Sequence, residues 1–90
     1  MTNKLLPLNY AIMKLFLDGR VRCAKGVISE LSSDYSGYKM LTLGDVDETL
    51  ATAKENGLLD EVGVELEGKD LKISYRLNEY GRDLIQRYIK

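Results

Sequence analysis

Few residues in this 90-residue chain could carry chemistry. Cys23 is the only cysteine and there is no histidine. An intrachain disulfide is therefore impossible, and a zinc site is excluded because its two commonest ligand types are nearly absent. The missing histidine also removes the usual general base, leaving only carboxylates for that role. No glycine-rich loop could cradle a phosphate, and no nucleophile has a base beside it, so neither an enzyme nor a cofactor is expected. Asp45, Asp47 and Glu48 crowd together but lack the graded oxygen spacing of a calcium loop. A helix start attracts such residues through its dipole alone, so no metal is expected. Arg22 and Lys25 lie close to Cys23 in sequence and could stabilise a thiolate, although a lone cysteine reads more simply as a small buried hydrophobe.

Binding chemistry has more to work with. The net charge is −1, which suits nucleic acid only if the cations gather on one side of the fold. From Met1 to Leu41 six basic residues stand against three acidic ones, leaving the remainder at −4. Tyr10, Tyr35, Tyr38, Tyr75, Tyr80 and Tyr88 could stack on bases. The plainer reading makes them core-edge residues, with the ring buried and the hydroxyl in water. At 44% hydrophobic and 30% charged residues, the chain should form one globular domain spanning residues 1–90. No apolar run is long enough for a membrane span, and no signal peptide is recognisable, so a cytoplasmic location is expected.

The elements that must position these residues follow from periodicity. A first helix is predicted over 8–18, with Leu8, Ile12, Leu15 and Phe16 on one face and Gly19 as its cap. Arg20-Val21-Arg22 alternates as a short strand in need of a partner. A second helix is predicted over 24–35, burying Val27, Ile28, Leu31 and Tyr35 and leaving Lys25, Glu30 and Asp34 in water. Thr42 is placed to cap a third helix over 43–56 that buries Val46, Leu50 and Ala53 and ends at Gly57. Its opposite side then carries Asp47, Glu48, Ala51, Thr52 and Glu55. A hairpin is predicted over 62–77. In it Val62, Val64 and Leu66 form a half-buried strand, Glu67-Gly68-Lys69-Asp70 the turn, and Leu71, Ile73 and Tyr75 the return. Asn78 caps a last helix over 79–89, with Leu84, Ile85, Tyr88 and Ile89 apolar.

This order resembles the winged helix-turn-helix, an α+β fold with a three-helix core, a short strand plus β-hairpin wing, and a C-terminal helix. Tyr75-Arg76-Leu77-Asn78-Glu79-Tyr80-Gly81-Arg82 is similar to the Tyr-x-Leu-Thr-x-x-Gly segment that follows the wing in PadR-like and MarR-like bacterial regulators. Asn78 stands where those families have threonine, which preserves the capping acceptor. Leu50 to Leu59, ending in Gly57-Leu58-Leu59, is similar to the end of their recognition helix. The two segments cover roughly the C-terminal half of the chain.

The resemblance implies a small double-stranded-DNA-binding regulator whose third helix enters the major groove while the Gly68-Lys69 turn touches backbone or minor groove. The nucleic-acid-binding residues it implies are Arg22, Lys25, Lys39, Thr42, Thr52, Lys54, Lys69, Lys72 and Arg76, the cations among them forming a basic rim. Asp47, Glu48 and Glu55 oppose that reading, since carboxylates are repelled by phosphate, although they can accept a bond from cytosine. They define the alternative, a winged-helix interaction module whose acidic third helix binds a basic protein partner without contacting DNA. Regulators of these families usually dimerise through helices outside the winged core. Here a weak homodimer would have to use Leu84, Tyr88 and Ile89 of the last helix, with Leu5, Leu6 and Leu8.

Overall fold

The computed structural model describes residues 8–39 and 41–88. Chain order is helix α1 (Leu8–Leu15) with a 3-10 turn (Phe16–Asp18), strand β1 (Arg22–Cys23), helices α2 (Ala24–Leu31) and α3 (Leu43–Glu55), strands β2 (Leu59–Glu67) and β3 (Asp70–Leu77), and helix α4 (Glu79–Tyr88). The sheet is antiparallel in the order β1-β3-β2. This is the winged helix-turn-helix arrangement. Phe16, Ile12, Val27, Val46, Leu50 and Leu59 form the deepest part of its core.

Local sequence sets most of the boundaries. Gly19, at φ +81°, closes the 3-10 turn by donating its N–H to the Phe16 carbonyl. Helix α2 stops earlier than the predicted 24–35. Beyond Leu31, Ser32-Ser33-Asp34 are weak helix formers, the Ser32 hydroxyl donates back to the Ser29 carbonyl at 3.1 Å, and Gly37 takes φ +83°. Tyr35 nevertheless packs into the core. Helix α3 has Thr42 as its N-cap, the hydroxyl accepting the Asp45 N–H at 3.2 Å, and it buries Val46, Leu50 and Ala53. Gly57, at φ +83°, ends it, with its N–H bonded to the Lys54 carbonyl and that of Leu58 to the Ala53 carbonyl.

The hairpin departs from the predicted half-buried strand in two ways. It begins three residues earlier, at Leu59 rather than Val62. Val62 is a bulge: Glu61 pairs with Tyr75 and Gly63 with Ser74, leaving it no partner. The bulge shifts the phase of β2, so that Leu59, Val64 and Leu66 share one sheet face with Leu77, Ile73 and Leu71. At the base this face packs on the core through Leu59, Tyr75 and Leu77. Toward the tip it runs past the helices, leaving Val64 53%, Leu66 73% and Leu71 62% exposed. Alternation grouped Val64 with Leu66, but Val62 falls out of that set at the bulge, and no layer among the described residues covers the tip.

Helix α4 is anchored by the segment that carried the family likeness. The Asn78 side chain accepts the Gly81 N–H at 2.7 Å and donates to the Gly57 carbonyl at 2.7 Å and to Asp60 at 3.2 Å, tying the end of α3 to the start of α4. Gly81 lies against Leu58 and Leu77, and a Cβ there would collide with the Leu58 carbonyl and approach Leu77 Cδ1 to 2.8 Å. Ile85 is buried, Leu84 is half-buried and Tyr88 is exposed. Leu5, Leu6 and Ile89 lie outside the described residues.

Candidate nucleic-acid interface

Because Val46, Leu50 and Ala53 turn inward, Asp47, Glu48, Ala51, Thr52 and Glu55 are all exposed on the opposite side of α3. Lys39 lies exposed in the turn before the helix. The Thr42 hydroxyl is committed to the cap, since it also donates to the Asp45 carboxylate at 3.0 Å. Lys69 is exposed in the wing turn, where Gly68 adopts φ +64°. Lys25 and Lys72 converge with Leu43 and Asp47 on a groove joining the starts of α2 and α3 to the wing.

The cations on and beside the wing are spread along its length. Lys25, Lys69 and Lys72 lie toward the wing tip, and the Lys25 ammonium is 3.4 Å from Glu67. Lys54 and Arg76 lie toward the wing base, with Lys54 3.8 Å from Glu61 and Arg76 across the strand from Asp60. Thr52 faces a different hollow, beside Asn9, Tyr10 and Glu48. Ion pairs as exposed as these are worth little and yield readily to a competing phosphate.

Arg22 is a correction to the sequence reading. Its strand has the opposite phase to the one expected, with Val21 49% exposed and Arg22 only 7%. Register with Tyr75 of β3 fixes that phase. The guanidinium meets Asp18 at 2.7 and 2.9 Å, Glu30 at 2.6 and 2.9 Å, and the Leu15 carbonyl at 2.9 Å, and it stacks 5.6 Å from the Phe16 ring centroid. Its donors are spent and its head group is enclosed, so it is a folding determinant rather than a phosphate contact. The Arg22 hydrogen bonds hold both the Asp18 and Glu30 carboxyls below the usual carboxylate range, and the two carboxylates in turn raise the Arg22 guanidinium. Glu30, expected in water, is therefore engaged.

Arg82 escaped the sequence reading as well. It donates to the Leu17 carbonyl at 2.9 Å, locking α4 to the end of the 3-10 turn. Its place directly after Gly81 in the motif was the available signal. Of the six tyrosines, Tyr35 and Tyr75 are buried in the core, while Tyr10, Tyr38, Tyr80 and Tyr88 are exposed, so burial of the ring holds for two of them. Tyr38 packs edge-on against Tyr35, centroids 4.9 Å apart. Cys23 is half-buried at the groove. No described helix is long and apolar enough to cross a membrane.

No protein-family model matches the chain, and no curated protein matches it in sequence. Among solved structures it is similar to Bacillus subtilis PadR in complex with operator DNA, with a TM-score of 0.71 and 19% sequence identity over 92% of this chain. The chain spans about half of that protein's length, 47%.

Proposed function

We propose that this chain binds double-stranded DNA through α3 and the wing, and serves as a small transcriptional regulator. The observation that carries this reading is the exposed, capped α3 beside a projecting two-stranded wing, in a fold shared with a protein solved on operator DNA. In this reading Lys39 and Lys69 contact phosphates on either side of the helix, and Lys25 and Lys72 offset Asp47 within the groove. Thr52 and the Glu48 and Glu55 carboxylates meet base edges, where glutamate accepts from cytosine N4. With so few free cations, binding is weak at physiological salt and falls steeply as salt rises.

Fluorescence anisotropy of a mixed-sequence duplex at low and moderate salt tests the proposal. Lys39→Glu or Lys69→Glu is expected to weaken binding, each lowering the salt slope by about 1. Glu48→Gln and Glu55→Gln are expected to strengthen it. Binding that ignores salt, or is indifferent to both kinds of change, would shift the assignment to a basic protein partner on Asp47, Glu48 and Glu55.

A weak homodimer through α4 belongs to the same reading. Tyr10, Met13, Leu58, Leu84, Ile85 and Tyr88 line an apolar cleft between α1 and α4, and a second copy covering it would double the DNA contacts. Sedimentation showing only monomer at high micromolar concentration would remove this element.

A further inference from the structure

We infer that the outer edge of β2 is a docking site for an extended basic-and-apolar polypeptide segment, which adds to the three-stranded sheet as one more strand. Three observations lead there independently of what α3 does. In the order β1-β3-β2, the nine-residue β2 is an edge strand, and its outward backbone groups have no strand partner among the described residues. Such an edge is a template for main-chain pairing. Past the bulge, Val64 and Leu66 present bare apolar surface on one face, continued by Leu71 on β3. The charge is of one sign: Leu59 to Glu67 holds four carboxylates and no cation.

The charges select the occupant. A second copy of this chain pairing antiparallel on β2 past the bulge, with its apolar residues kept on one face, would set like charges opposite each other in the registers that cover Val64 and Leu66 best. Centred on Glu65 it opposes that residue to itself, and centred on Leu66, Glu65 to Glu67, all on the face away from Val64 and Leu66. Directly opposed like charges are destabilising. A strand alternating apolar and basic residues reverses each of these contacts, its apolar side chains continuing the Val64 and Leu66 face while its cations lie beside Glu65 and Glu67. Lys25 and Lys54 meet Glu67 and Glu61 in exposed pairs of 3.4 and 3.8 Å, and Glu65 lies across the strand from Lys72 with no ion pair among the described residues. A duplex offers no strand to add, so this edge and the DNA reading are separable.

The probe is a synthetic peptide of alternating lysine and valine, with a glutamate–valine peptide of equal length as control, titrated to millimolar concentration while amide shifts and hydrogen exchange are followed. The lysine peptide is expected to shift the amides of Val62 to Glu67 and to protect alternate ones among them, and the glutamate peptide to leave them unchanged. Glu65→Lys is expected to weaken the lysine peptide about fivefold or more. Leu66→Lys, at an exposed position, provides a second variant with the same expectation, and an unchanged amide spectrum elsewhere verifies the fold of both. The inference is overturned if neither peptide binds, if both bind alike, or if the variants bind as the parent does. Shifts confined to Asp47, Glu48 and Glu55 also overturn it.

Discussion

Removing the Arg22 guanidinium leaves Asp18, Glu30 and the Leu15 carbonyl without their shared donor and opens space beside Phe16. Arg22→Met is therefore expected to destabilise the fold by about 2 kcal/mol in chemical denaturation, the two carboxylates being able to rehydrate. Because Asp18 and Glu30 titrate lower in the folded chain than unfolded, their contribution is complete above the ordinary carboxylate range and is lost as pH falls through their folded values. Thermal melts should hold steady from neutral pH to about 5 and fall below about 4, with a shallower acid limb in Arg22→Met. Gly81→Ala forces a Cβ into the Leu58 carbonyl and should cost about 2 kcal/mol or more. Asn78→Ala should cost about 1 kcal/mol, and Asn78→Thr less, since threonine keeps the cap but cannot reach Gly57 and Asp60 together.

At the scale of elements, the wing behaves as two different pieces. Leu59→Ala, at the packed base, should cost about 3 kcal/mol, while Leu66→Ser and Leu71→Ser at the bare tip should stay within about 0.5 kcal/mol. The contrast also marks how far sequence could be read. Helix α3 was legible because Val46, Leu50 and Ala53 define one inward stripe and Thr42 and Gly57 bracket it. The distal wing was not, because alternation states which residues share a face and is silent on whether another layer covers that face. The bulge at Val62 has no side-chain signature, and the phase of β1 depended on a partner strand more than fifty residues away, which is why Arg22 was misplaced. Gly81 was visible as a motif residue, and its reason, the Leu58 carbonyl, only in three dimensions.

Taken whole, the molecule sets an acidic helix face beside a wing of mixed charge, with cations toward the tip and base of that wing and at Lys39 before the helix. In the proposed reading the winged helix-turn-helix fold presents α3 and the wing to a duplex, and the charges limit how tightly phosphate is held. The most direct measurement is an amide shift map during titration with a mixed-sequence DNA duplex at low salt. The account predicts shifts along the exposed side of α3, at Asp47, Glu48, Ala51, Thr52 and Glu55, together with Gly68 and Lys69 of the wing turn, fading as salt is raised. A map with no shifts on α3, or with shifts confined to the α1 and α4 side, would contradict it.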